Sequence, residues 1–207
     1  NFTDYMMAVE EIARWSASVA IIIAVHNSIG AGPITLFGTD DQKKRYLPKL
    51  TNELLGCFSL TEPSAGSDAA GIKSTAKRDG DDWIINGSKM WITNAPQADA
   101  MIIYAVTDPD ASSRKLSAFI VERGAQGLTT PQKLDKLGMR GSDTSEVLFE
   151  DCRVPAGNLM GKEGEGAAIL MSGLDYERVV LAAGPLGIMR ACLDAVLPYV
   201  HERKQFG

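Results

Sequence analysis

The chain has 207 residues, 45% of them hydrophobic and 23% charged, with 21 basic against 26 acidic side chains and a net charge of −5. That composition fits a globular protein of one or two domains, and the acidic balance, with no basic block, excludes a general nucleic-acid-binding surface. Cys57, Cys152 and Cys192 are odd in number and widely spaced, which argues against a disulfide framework or zinc site and for buried free thiols in a reducing compartment.

In chain order, residues 5–29 place Met6, Val9, Ile12, Ala13, Ser16, Val19, Ala20 and Ile23 near a three-to-four spacing. This predicts one amphipathic helix that becomes buried towards its end, broken by Gly30, Gly32 and Pro33. No run of about 20 apolar residues occurs, and residues 19–25 are too short to span a bilayer. Thr39 and Gln42 form a predicted capping box into a helix over 43–50, where Lys43, Lys44 and Arg45 read as a solvated face. His26 and His201 have no partner at metal-ligand spacing.

From Gly56 the period changes to two. Strands are predicted over 74–78, 82–85, 88–93, 100–107, 116–122, 127–130 and 145–154, with Asp79-Gly80 as a turn and Asn86-Gly87 as a hairpin. Many short strands in about 100 residues predict a compact antiparallel barrel or sandwich. The glycine-rich 161–166 lacks dinucleotide-loop spacing and carries two glutamates that would repel phosphate, so it reads as a domain hinge. Helix returns from Ala167 to about Lys204, with a kink or break at Gly184-Pro185. The fold class is therefore α+β, divided at 1–55, 56–155 and 156–207.

Three clusters carry candidate chemistry. In the first, Phe58, Ser59, Leu60, Thr61, Glu62, Pro63, Ser64, Ala65, Gly66 and Ser67 pass from apolar to small and hydroxylated residues. Such a loop offers hydroxyls and unshielded N–H groups to an anion or a polar ring edge, or is an ordinary polar loop. The second is Met90-Trp91-Ile92-Thr93-Asn94, in which Trp91 is a core aromatic or a cover for a flat ligand. The third is Gly173-Leu174-Asp175-Tyr176-Glu177-Arg178. Glu177 shares a helix face with Leu174, Leu181, Gly184 and Ile188, which would desolvate its carboxylate and suit it as a base near neutral pH. A glutamate paired with an arginine across a helix contact fits the same position.

In this order and spacing the three clusters resemble the acyl-CoA dehydrogenase family of flavoenzymes, over essentially the whole chain. The Leu-Asp-x-Glu-Arg run resembles the branch acting on short branched-chain thioesters, with isovaleryl-CoA of leucine breakdown the favoured substrate. The resemblance implies N-terminal helices, a central β-domain and the start of a C-terminal helical domain in an internal piece of a longer chain, inactive or poor at holding FAD by itself. It implies FAD as cofactor, with Phe58 to Ser67 along the ring and pyrophosphate, Trp91, Ile92 and Thr93 at the ring, and Arg203 reaching flavin across a subunit boundary. Glu177 would be the catalytic base, with Ser67, Ser113, Arg114, Asp175, Tyr176, Glu177 and Arg178 along the acyl-CoA substrate.

Also implied are a homotetramer, an electron-transfer flavoprotein as acceptor, no membrane span, and a bacterial cytoplasmic or mitochondrial matrix location rather than secretion. One departure is Ala168, where animal members of that branch carry tyrosine nine residues before the base, so a strict isovaleryl preference is not implied. On the residues alone, a non-catalytic flavin or acyl-CoA scaffold and an oxygen-reducing oxidase remain alternatives.

Overall fold

The computed structural model describes residues 1–207. Helix α1 (Phe2–Trp15) opens on a capping box between Asn1 and Asp4. The single helix expected over 5–29 is divided at Ser16, whose extended backbone (φ −155°, ψ 102°) ends α1 while its hydroxyl accepts the Val19 N–H to start α2 (Ala17–Ala24). A hydroxyl residue serves such a double cap because its side chain satisfies a donor that the new helix leaves free. The Gly30, Gly32, Pro33 cluster does not break the helix. The chain winds through a π-helical turn, Val25–Ala31, straight into α3 (Gly32–Phe37), with Pro33 in its first turn. Helix α4 (Asp40–Leu50) begins with the expected Thr39/Gln42 capping box.

Eight strands follow: β1 (Gly56–Ser59), β2 (Thr75–Asp79), β3 (Asp82–Thr93), β4 (Ala100–Val106), β5 (Leu116–Glu122), β6 (Leu128–Thr129), β7 (Thr144–Pro155) and β8 (Leu159–Met160). They form one sheet in the order β6-β7-β3-β2-β4-β5-β8, with β1 paired to β4. Pairing is mostly antiparallel, but β1 and β2 both run parallel to β4, so the sheet is mixed. Strand β4 shows how two layers arise from its period of two. Ala100, Ile102, Tyr104 and Val106 face a core shared with the helices, whereas Met101, Ile103 and Ala105 face an inner core closed by β3 and β7. The expected hairpin at Asn86-Gly87 is instead a bulge within the continuous β3. Asn86 and Asp151 clasp across it by two reciprocal hydrogen bonds of 3.0 and 2.8 Å. The turn before β3 uses Gly80, at φ +60°.

Residues 161–166 are a packed turn rather than a free hinge. The Gly164 N–H donates to the Ser117 hydroxyl at 2.9 Å, and a Cβ on Gly166 would lie 2.8 Å from the Leu116 backbone. Helix α5 (Gly166–Glu202) then runs unbroken through Pro185 and Pro198. Cys57 and Cys152 are buried as expected, but Cys192 on α5 is exposed. Helical continuity through the π turn also creates a stretch, Ala17–Phe37, that matches α5 in being long and apolar enough to cross a membrane.

His26 joins the two layers. Its Nδ1 accepts the Gly56 N–H at 2.9 Å, so its proton sits on Nε2, which donates to the Leu50 carbonyl at 2.8 Å. His26→Ala leaves both groups unpaired between helix and strand. An unfolding free energy lower by about 2 kcal/mol is expected in urea titrations.

Candidate functional site

Strand β1 ends at Ser59, and the loop after it alternates inward and outward. Ser59, Leu60, Glu62 and Ala65 are buried, while Pro63, Ser64, Gly66 and Ser67 are exposed and Phe58 and Thr61 half-buried. Reciprocal backbone bonds between Glu62 and Ala65 (3.0 and 3.1 Å) close a tight turn. The N–H groups of Thr61, Ser64, Gly66 and Ser67, and the hydroxyls of Thr61, Ser64 and Ser67, make no hydrogen bond within the chain. Clustered free donors on an exposed loop form a cradle for an anion. Glu62, expected along the cofactor, turns inward instead, so no carboxylate opposes an anion from that position.

A second bulge supplies the neighbouring wall. Between Lys89 and Ile92, strand β3 slips by one residue against β7, leaving Met90 and Trp91 opposite Glu146. The Met90 N–H donates to the Thr61 carbonyl at 2.8 Å, which ties the bulge to the loop. Trp91 is held at φ +64° with 61% of its surface exposed. A bulky residue in the left-handed region costs about 1–3 kcal/mol, and here it turns an indole outwards instead of into the core. Trp91 is therefore not a core aromatic. Ile92 is buried in the inner core and Thr93 half-buried. Asn94, also at positive φ, donates to the Ile22 and Gly56 carbonyls at 3.2 and 3.4 Å and anchors the end of β3 to α2 and β1. An exposed indole beside a cradle of free donors fits a ligand with a flat ring and an anionic diphosphate.

The third cluster lies on α5. The π turn and α3 face this helix across a groove of about 570 Å³, lined on one side by Asn27, Ser28 and Phe37 and on the other by Ser172, Gly173 and Tyr176. Glu177 is half-buried and forms no ion pair, because Arg178 is engaged with Asp175 at 3.4 Å. Burial pushes the Glu177 carboxyl above its ordinary range, partly opposed by the Arg178 charge. Tyr5 borders the same region, its hydroxyl donating to the Ile23 and Ala24 carbonyls at 3.3 and 3.2 Å. Burial, with smaller repulsions from Tyr176 and Glu177, pushes its phenol up to about 12. Beyond Glu177, Leu181, Gly184 and Ile188 pack towards Ala13, Ala17 and Ala20 of α1 and α2. This is the apolar face that the helical spacing predicts.

A second cavity, of about 400 Å³, shares Phe37 with the groove and is lined by Arg114, Gly164, Glu165 and Ala168. The two together make a path along the first three turns of α5. Arg114 stands at its mouth, while Ser113 is exposed on the loop outside it. Asp175 and Arg178 face solvent. Arg203 is exposed just past the helix end, its guanidinium donating to the Tyr199 hydroxyl at 3.2 Å. At 1.5 Å per residue it is about 39 Å along α5 from Glu177.

The structure thus joins the first two clusters to each other and places Gly173 and Tyr176 of the third on the groove, with Glu177 next to them on α5, but leaves Arg203 apart. Sequence reasoning missed Asn27 and Phe37, which line the groove because the helix continues through the glycines, and Tyr5, which borders the region from α1. It also missed Lys89, whose signal was a charge at an inward position of an alternating strand.

Known proteins agree with this layout. The acyl-CoA dehydrogenase N-terminal, middle and C-terminal domains match residues 1–53, 57–152 and 164–207. The mitochondrial isovaleryl-CoA dehydrogenase of Arabidopsis thaliana is 52% identical over the whole of this chain and 51% of its own length. A solved chain described as an electron-transferring flavoprotein of Acidaminococcus fermentans superposes with a TM-score of 0.97 at 43% identity, covering 100% of this chain and 55% of that one. The acyl-CoA dehydrogenase of Bacillus anthracis, solved in complex with FAD, gives 0.91 at 39% identity over 97% of this chain and 34% of that one. The chain spans about half the length of the curated relatives it matches. FAD is the cofactor these relatives indicate, in agreement with the indole and the donor cradle. The three matching domains, in order along one chain, establish that it belongs to the acyl-CoA dehydrogenase family.

Proposed function

We propose that this chain carries the base and the flavin cradle of an FAD-dependent dehydrogenase that converts a short branched-chain acyl-CoA, isovaleryl-CoA foremost, to its 2,3-enoyl-CoA in branched-chain catabolism. The observation that carries the reading is Glu177, an unpaired carboxylate of raised pKa on a helix that lines an open groove. When bound, FAD supplies the acceptor for the hydride that leaves the β-carbon.

Glu177 takes the α-proton onto its carboxylate, and its raised pKa brings its basicity closer to what a weakly acidic C–H demands. The apolar surroundings that raise the pKa also keep competing water away from the developing enolate. Trp91 covers one face of the ring, and the free N–H groups of Ser64, Gly66 and Ser67 hold the anionic tail. Thr61 and Thr93 offer hydroxyls to the ring edge, with Phe58 beside them, while Ile92 and the inward-facing members of 59–65 shape the cradle from behind. Tyr176 borders the thioester path and Arg114 its phosphate end, with Ser113, Asp175 and Arg178 at its solvent side, and Ser67 on the cradle loop is read as a further substrate contact. Ala168 leaves open the space a tyrosine fills in animal members of that branch, so the acyl pocket is shaped differently from theirs.

We further infer a homotetramer. Arg203 lies too far along α5 to serve the same site as Glu177, so it completes the flavin site of a neighbouring copy. The apolar helices 17–37 and 166–202 are read as core and assembly helices rather than membrane spans, and the domain boundaries as 1–55, 56–155 and 156–207. An electron-transfer flavoprotein is the proposed acceptor, in a bacterial cytoplasm or a mitochondrial matrix.

The test is anaerobic titration of the FAD-loaded full-length protein with isovaleryl-CoA, butyryl-CoA and isobutyryl-CoA, followed by flavin absorbance. Bleaching is expected with all three and at the lowest concentration with isovaleryl-CoA. Absence of bleaching with any acyl-CoA would leave a binding scaffold.

A further inference from the structure

The most deeply buried charge in the molecule lies behind the cradle. Lys89 has no exposed surface and Glu62 is 6% exposed. The Lys89 ammonium has three protons and donates all of them, to the Leu60 carbonyl at 3.1 Å, to Glu62 Oε1 at 2.8 Å and to the Tyr104 carbonyl at 2.8 Å. Glu62 in turn accepts from the Lys73 N–H (2.7 Å), the Ser74 N–H (3.0 Å) and the Ser74 hydroxyl (2.6 Å). Burial alone would raise the Glu62 carboxyl, but these donors outweigh it and hold it below its ordinary range. Burial lowers the Lys89 ammonium, partly offset by Glu62.

An isolated pair of buried charges is a poor source of stability, since apolar residues of like volume often do as well. What this pair connects is informative. Leu60 and Glu62 flank Thr61 on either side, and Lys89 is the last residue of β3 before the bulge that presents Trp91. One cation thereby fixes the two walls of the cradle to each other, alongside the Met90–Thr61 hydrogen bond.

We propose that the Lys89–Glu62 pair is the positioning element of the flavin cradle, setting the placement of Thr61 against Trp91 and holding the free donors of 61–67 ready for FAD. The inference rests on the reading of those residues as flavin contacts. The pair itself touches neither substrate nor cofactor.

The test uses the full-length protein with Lys89→Met, the double variant Glu62→Gln/Lys89→Met, and Ser74→Ala. The measurements are FAD dissociation constant, urea midpoint, and hydrogen exchange of amides 61–67 without FAD. Lys89→Met strands an unpaired carboxylate and lowers the midpoint. The double variant removes both charges and recovers most of it, yet is expected to bind FAD about tenfold more weakly, with faster exchange confined to 61–67. A double variant that folds and keeps wild-type affinity and exchange overturns the proposal, because a merely structural pair affects the midpoint alone. If the double variant fails to fold, Ser74→Ala decides. Loss of one donor to Glu62 is expected to weaken FAD binding about threefold, and unchanged affinity and exchange overturn the proposal. Failure of the underlying reading has a different signature: FAD would not protect amides 61–67 in the wild type, whatever the variants do.

Discussion

Glu177→Gln is expected to abolish flavin bleaching by acyl-CoA in the full-length protein, lowering the rate by about 10⁴-fold, the upper range for loss of a general base. Glutamine keeps the shape and volume of the side chain, so FAD and acyl-CoA should still bind. The loss then falls on the rate of bleaching rather than on the substrate concentration that half-saturates it. In the wild type the rate should rise with pH through the raised pKa of Glu177, because only the ionised carboxylate takes a proton.

Stability runs the opposite way. Below the ordinary glutamate pKa both folded and unfolded chains hold the proton. As pH rises towards the folded value, the unfolded chain releases it first, so the folded state loses stability across that window and stays at the lower value above it. Glu177→Gln, which never ionises, should therefore be more stable than wild type at neutral pH and about equal to it below pH ~4. Urea midpoints of the two proteins at acid and neutral pH check this. A variant that bleaches at the wild-type rate would move the base elsewhere. Equal midpoints at neutral pH would mean that burial does not tax the carboxylate.

How much of this was legible in the sequence depends on whether the signal was local. Thr39 and Gln42 cap α4 because a capping box needs only four residues, and the apolar face behind Glu177 follows from spacing along one helix. Positions decided by distant partners read wrongly or not at all. Asn86-Gly87 has the composition of a hairpin, but β7 runs alongside and pairs on both sides of it, so the glycine becomes a bulge; a Cβ on Gly87 would lie 2.3 Å from the Ser74 hydroxyl. The glycines at 30 and 32 look like breakers. Gly30 is there because β1 passes against the π turn, where its Cβ would lie 3.2 Å from the Gly56 backbone. Gly184-Pro185 failed to break α5 because its flanks are clamped to α1. Trp91 stayed ambiguous because its exposure arises from a one-residue slip between two strands, and no short-range pattern encodes that slip.

The clamp of α5 on α1 sets the second large expected effect, in which neighbouring glycines respond with opposite signs. Gly184 and Gly187 are both interior to α5, where alanine is preferred over glycine by about 1 kcal/mol. At Gly184 an added Cβ meets nothing within 4 Å and enters the small apolar cavity against α1 and α2. Gly184→Ala should therefore stabilise by up to about 1 kcal/mol. At Gly187 the same Cβ would lie 2.0 Å from the Glu10 carbonyl oxygen and 2.9 Å from the Arg14 nitrogen. These are backbone atoms of a capped helix, and no rotamer change can clear them. The crossing is further fixed C-terminal to Gly187 by two ion pairs of 2.6 Å, Arg190 with Glu10 and Arg14 with Asp194. The helices must separate to admit the methyl group, and overpacking of this kind costs about 3 kcal/mol, which outweighs the propensity gain. Gly187→Ala should thus destabilise by about 2 kcal/mol net. Because Glu177 lies only about 15 Å up the same helix, tilting α5 should also displace the base and lower the bleaching rate, whereas Gly184→Ala leaves it intact. Urea unfolding and bleaching rates of the two variants side by side check both signs, and equal effects at the two positions would mean that the close approach at Gly187 does not govern how α5 is seated.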